Sequence, residues 1–221
     1  MKPVRIIESR AVPLARSDVD TDQIIPSDWL KRVERTGFGA GLFSEWRDGP
    51  EFILNNPDYA GAQILLAGPN FGTGSSREHA VWALMDYGFD AVVSPRFGDI
   101  FKTNCTKQGL LPVELDEHAL EGLMEAVARD PTTLIVIDVD RLTVEAPSAG
   151  ITASFALDGF VRQRFLNGWD DISLTLLHDE EIAAFETSRP EWTVHVPLSP
   201  SSPAGGTAAA ANQSPSPAGP G

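Results

Sequence analysis

The 221-residue chain sets 31 acidic against 17 basic residues, a formal net charge of −14, and is 42% hydrophobic. That is apolar material for one cored domain, and so acidic a surface excludes a general nucleic-acid binder, which needs a basic footprint. No apolar run approaches the ~20 residues of a membrane span, and the start MKPVRIIESR lacks a long apolar stretch, so neither a membrane span nor a signal peptide is expected and the cytoplasm is the expected compartment.

Val4 to Leu14 reads as an extended segment. Residues 17–22 (SDVDTD) read as a polar turn before Ile24-Ile25-Pro26, and Ser27 is placed to cap a short helix to about Glu34. Residues 36–58, rich in glycine and aromatics, read as a long loop of the kind that is often a mobile lid. Gln63–Ala67 reads as a buried strand, 76–87 as a helix that Gly88 stops, and Ala91–Ser94 as a strand. A helix over about 97–108 ends at Gly109, and Leu110–Leu115 is extended. Asp116 caps a helix to about Arg129. Thr133–Val139, Leu142–Ala146 and Ile151–Ala156 are expected strands joined by turns. Asp158 opens a helix to Asn167, followed by helices at 171–178 and 180–187. From Leu198 on, the Pro/Ala/Ser-rich sequence lacks large apolar groups and is expected to be a disordered tail, leaving a domain over 1–197. The order of elements is α/β but too irregular for a simple Rossmann ladder.

Cys105 is the one cysteine, so the chain by itself offers neither an intramolecular disulfide nor the set of about three or four thiolates that an iron–sulfur cluster needs. Histidines 79, 118, 178 and 195 show no metal-binding spacing, and no metal site is expected here.

The chemistry is concentrated in GPNFGTGSSREHA, residues 68–80, at a strand–loop–helix junction. GxxxxGK[ST], GxGxxG and GxSxG are all absent from it. Gly72 and Gly74 allow a tight turn and close approach to a ligand. Ser75 or Ser76 stands where a helix N-cap would stand, with N–H groups turned toward an anion. Arg77 adds a planar fork of donors suited to a carboxylate. The set is a carboxylate pocket with a hydroxyl beside it, and the plainer alternative is a capping serine with a surface ion pair. For His79 the spacing favours a structural role. A serine among such donors can take a proton next to a carboxylate, but expelling a hydroxyl needs an acid or a metal that a partner must bring.

GPNFGTGSSREHA, with DTDQIIP (20–26) before it and FKTNCTKQGLLPVEL (101–115) after it, resembles the small subunits of 3-isopropylmalate dehydratase, which correspond to the mobile swivel domain of the aconitase family. The resemblance runs from about residue 4 to 197. It implies a β/β/α swivelling domain, and a large subunit that carries a [4Fe–4S] cluster, in a heterodimer or heterotetramer. The implied reaction interconverts 2- and 3-isopropylmalate by dehydration and rehydration, in leucine biosynthesis. By motif, Ser75 matches the catalytic base and Asp22 the acidic position supporting the active site, although Asp22 also suits a turn or cap. Ser76 and Arg77 match contacts to a substrate carboxylate, and Asn70, Gly72 and Gly74 shape the loop. The segment after DTDQIIP would read the substrate's variable group, with Trp29, Leu30 and Val33 toward an isopropyl group. Arg32 or Arg35 would instead suit a second carboxylate. Citraconate with 2-methylmalate, homoaconitate, or a stand-alone dicarboxylate-binding role are the alternatives.

Overall fold

A computed structural model of the chain describes residues 1–31 and 36–189. Arg32, Val33, Glu34 and Arg35, and the tail expected from Leu198, lie outside the described residues. The chain groups into two units, Met1–Asp179 and Glu180–Gly221.

The strands are β1 (Ile6–Leu14), β2 (Ile64–Ala67), β3 (Ala91–Ser94), β4 (Leu111–Glu114), β5 (Leu134–Asp138), β6 (Thr143–Ala146) and β7 (Ile151–Ser154). They form one sheet in the order β4-β3-β2-β1-β5-β6-β7. β1 to β4 are parallel, β5 runs antiparallel to β1, and β5-β6-β7 is an antiparallel meander. β2 and β3 are buried at every residue, as parallel strands covered on both faces must be.

The helices are α1 (Thr21–Ile24), α2 (Ser44–Arg47), α3 (Glu78–Tyr87), α4 (Asp99–Gln108), α5 (Glu117–Arg129), α6 (Gly159–Asn167), α7 (Asp171–Leu176) and α8 (Asp179–Ser188). Each parallel step from β1 to β4 moves the same way along the sheet. Right-handed crossovers therefore place the β1–β2 connection, α3 and α4 on one face. α3 touches both that connection and α4, while α5 contacts β1, β3 and β7. Asp116 caps α5 as its sequence predicts, accepting from the N–H groups of His118 and Ala119. A bridge between Glu114 and Ala156 joins the end of β4 to the residues after β7, so the sheet curls until its edges meet.

Pro13 lies in the middle of this sheet, where a missing N–H is normally costly. The register shows why it is tolerated. β5 pairs with residues 6–10 of β1 and β2 with residues 11–14, so at Pro13 the strand is bonded on one side only.

The stretch 36–58, read from sequence as a loop, is instead a chain of short helical turns: 3-10 helices at Phe38–Gly41, Ile53–Asn55 and Pro57–Tyr59, with α2 between them. Phe38, Leu42, Phe43, Phe52 and Leu54 are buried. Phe43 stacks on Trp46 at 5.2 Å, and Phe52 meets both rings edge-on. These side chains serve as the crossover layer over the sheet, each large one adding about 1.5–3 kcal/mol by burial. Their spacing follows no helical or strand period, so periodicity could not reveal them. The helix expected from Ser27 is a 3-10 helix over Ser27–Lys31 in the described residues.

Candidate active site

β1 and β2 stop pairing at Leu14 and Ala67, but the two chains stay side by side beyond them. Gly68 N–H donates to Arg16 O at 3.1 Å, Asp18 N–H to Pro69 O at 2.9 Å, and Gly72 N–H to Val19 O at 2.7 Å. Thr21 N–H donates to Thr73 O at 2.9 Å. On its other side the loop is held by the β3–α4 connection: Phe71 N–H donates to Arg96 O, and Gly98 N–H to Phe71 O at 2.9 Å. The buried Ser94 hydroxyl donates to Gly68 O at 2.8 Å. The glycine–serine loop is thus clamped between two neighbours.

Its turns depend on left-handed backbone. Gly72 and Gly74 have φ of 76° and 90°, and a Cβ at Gly72 would run into the Phe101 ring. Asn70, at φ 60°, takes the conformation that asparagine tolerates best after glycine, and its side-chain amide donates to Asp18 Oδ1 at 2.7 Å.

This clamp corrects the expectation that Ser75 or Ser76 caps the following helix. α3 starts at Glu78, with Arg77 in the N-cap position and no side-chain capping bond. Ser75 is held too far back to act as cap: its carbonyl accepts from the Thr21 hydroxyl at 3.0 Å, and its Oγ lies 3.5 Å from Thr21 Oγ1. Both serines are therefore exposed on the loop, just ahead of the uncapped positive end of α3.

Residues 17–22 also differ from the expected turn. Thr21–Ile24 is one helical turn closed by a capping box: Gln23 N–H donates to Asp20 Oδ1 at 2.8 Å, and Asp20 N–H to Gln23 Oε1 at 3.0 Å. The cap is Asp20, which leaves Asp22 free of that task. Asp22 instead pairs through Oδ1 with Arg77 Nη1. The structure thus brings Ser75, Arg77 and Asp22 together across the DTDQ turn. Sequence reasoning missed Thr21 and Asp20; the spacing Asp20-x-x-Gln23 is the capping-box signal that could have found the second. Replacing Asp20 by alanine is expected to cost about 1 kcal/mol and to lower the unfolding midpoint, which a thermal melt will read.

The Arg77 side chain is 21% exposed and that of Asp22 56%. An ion pair this open contributes only about 0–1 kcal/mol, so a substrate carboxylate can compete for the guanidinium, whose remaining N–H groups still form a fork. His79, the second residue of α3, packs edge-on to Phe38 at 5.3 Å and against Trp82 at 4.7 Å. Trp29 lies against Gly41, and Leu30 is half-buried beside it in sequence.

Cys105 is buried in α4, and desolvation pushes its thiol well above the ordinary range. Among the described residues no group of three or more His, Cys, Asp or Glu side chains could hold a metal ion. The donor set of the loop, a hydroxyl, a guanidinium and one carboxylate, does not fit an iron–sulfur cluster. Among the described residues no helix is long and apolar enough to cross a membrane.

Two family models match the chain: the aconitase C-terminal domain over residues 1–118, and the C-terminal domain of the 3-isopropylmalate dehydratase small subunit over residues 171–193. A 3-isopropylmalate dehydratase small subunit of Rubrobacter xylanophilus is 57% identical over 196 residues, 89% of this chain and 100% of that protein. One of a Parafrankia species is 62% identical over 192 residues, 87% of this chain and 97% of the relative. In fold, the chain resembles the crystal structure of a 3-isopropylmalate dehydratase of Methanocaldococcus jannaschii, with a TM-score of 0.61 and 24% identity over 82% of this chain and 99% of that one.

Proposed function

Because the chain belongs to the family of 3-isopropylmalate dehydratase small subunits, we propose that its glycine–serine loop is one half of a hydro-lyase site. The activity is the interconversion of 2-isopropylmalate and 3-isopropylmalate by dehydration and rehydration in leucine biosynthesis. The chain acts as one subunit of a heteromer, in the cytoplasm. The large subunit holds the [4Fe–4S] cluster, which supplies the Lewis acid for the departing hydroxyl.

The single observation that carries this reading is an exposed hydroxyl, on a loop hydrogen-bonded from both sides, beside a partly exposed guanidinium. Ser75 and Arg77 are positioned without being enclosed, as a site completed by a second protein requires. In this reading Ser75 takes the proton from the carbon next to a substrate carboxylate. The electron pair of that C–H bond becomes the new C=C bond as the hydroxyl leaves. Rehydration in the opposite sense, with the proton passing from Ser75 to the carbon that lost the hydroxyl and a hydroxyl added at the carbon that lost the proton, completes the isomerisation. Arg77 and Ser76 hold a carboxylate during both halves. Asp22 keeps Arg77 aimed, and Asn70, Gly72 and Gly74 hold the loop. Trp29 and Leu30, with Arg32 and Val33 beyond the described residues, form the segment that meets the variable group.

The test is reconstitution with the large subunit, followed by the absorbance of the unsaturated intermediate. The pair should convert 2-isopropylmalate in preference to 2-methylmalate or homoaconitate, and the chain alone should convert none. Turnover by the isolated chain would overturn the two-subunit reading. Tight binding of dicarboxylates by a chain that never joins a cluster-bearing partner would favour a binding module.

A further inference from the structure

We infer that Ile100, in the first turn of α4, is an apolar anchor by which the chain docks on its cluster-bearing large subunit. The surface it meets there is an apolar hollow bordered by basic groups. The inference rests on the functional reading above and deepens it by naming where the partner sits.

The placement follows from the backbone around the glycine–serine loop. Phe71 bridges to Phe97, and Gly98 N–H donates to Phe71 O at 2.9 Å. A Cβ at Gly98 would stand 2.5 Å from Gly72 O. Gly98 is the N-cap of α4, so this helix begins against the loop that carries Ser75. Two residues later, Ile100 is 52% exposed. Phe101, Asn104 and Cys105 turn the other face of α4 into the core. The exposed residues of the helix are Asp99, Ile100, Thr103 and Lys107, so the isoleucine stands apolar among polar neighbours.

One exposed isoleucine is ordinary on a protein surface. What distinguishes Ile100 is the site beside it. A substrate held by Ser75 and Arg77 must also reach the large subunit, which therefore closes over this loop. A stable interface covers about 800 Å² of each partner. That is far more than the loop, so it takes in the segments that clamp the loop on both sides. Over residues 16–22, 68–78 and 96–100, Ile100 is the one large apolar residue that is exposed. Interfaces place apolar groups at the centre and charged ones around them. Here the surroundings are acidic: Asp18, Asp22, Glu78 and Asp99 are exposed around the loop, against the cations Arg77 and Arg96. Among the described residues neither Glu78 nor Asp99 pairs with a cation. Charge complementarity then asks for lysines or arginines on the facing surface.

The experiment titrates the large subunit against wild type, Ile100→Ala, Ile100→Leu and Ile6→Ala, and reads the Kd of each pair. Ile6 is the control. It is 55% exposed at the start of β1, whereas the loop lies beyond the other end of that strand. For Ile100→Ala we expect Kd to rise about tenfold or more, mainly through faster dissociation. At saturating large subunit, kcat should stay within about threefold of wild type. Ile100→Leu should keep Kd within about threefold, and Ile6→Ala should leave it unchanged. Added salt should weaken the wild-type pair. Thermal melts equal to wild type will show that the variants are folded, as expected for exposed side chains. A wild-type Kd in Ile100→Ala, or an equal loss in Ile6→Ala, overturns the anchor, and a pair indifferent to salt overturns the basic border. If the wild-type pair forms but leaves 2-isopropylmalate unconverted, the functional reading has failed, and the Kd values still decide the docking surface.

Discussion

Replacing Ser75 by alanine is expected to lower kcat by about a hundredfold to ten-thousandfold, the range for a lost general base, with KM changed less than about threefold. Ser75 is exposed, and of its two contacts with the Thr21 hydroxyl the shorter, at 3.0 Å, runs to the Ser75 carbonyl and the longer, at 3.5 Å, to its Oγ. Alanine keeps that carbonyl, so the loop and the neighbouring Arg77 should stay in place. The loss therefore falls on proton transfer and not on binding. Steady-state kinetics of the reconstituted pair will separate the two, and a rise in KM with normal kcat would make Ser75 a binding residue. Deuterium at the abstracted position adds a check, because the exchange of that atom with solvent should stop in Ser75→Ala.

Arg77→Lys is expected to raise KM for 2-isopropylmalate by about tenfold to a hundredfold, although the charge is kept. Asp22 occupies one arm of the guanidinium. A planar fork can keep that contact and still offer N–H groups to a carboxylate, but an ammonium is a point charge that must divide itself between the two. Asp22→Asn should separate these effects, since it releases Arg77 from its internal partner while leaving the fork intact. If Arg77→Lys binds substrate as wild type does, the fork is not the clamp. Thermal melts belong in the same experiment, because so open a pair should contribute only about 0–1 kcal/mol to folding.

The elements that sequence locates best are those whose ends carry chemical signals. Asp116 and Asp158 cap α5 and α6 because their carboxylates accept from the N–H groups of the next turn. The strands β2 and β3 are visible as short apolar runs. Two places resist. Local pattern starts α3 two residues early, because the hold of Thr21 on Ser75 is a tertiary contact that no local pattern encodes. The stretch 36–58 reads as a loop because its glycines and prolines are turn signals, while the burial of Phe38, Phe43 and Phe52 depends on the sheet beneath them. In the site itself, Ser75 and Arg77 are legible as residue types in a loop. The pairing of Arg77 with Asp22 is not, since 55 residues separate them.

The bridge from Glu114 to Ala156 has a consequence for how such a polypeptide survives before it meets a partner. An outermost strand with open N–H and C=O groups invites other chains to add to it and so to form aggregates. Here the two rims approach each other, and the rim strand β4 carries Pro112, which has no N–H to offer a newcomer. A freshly made molecule therefore presents few sticky borders during its solitary interval in the cell.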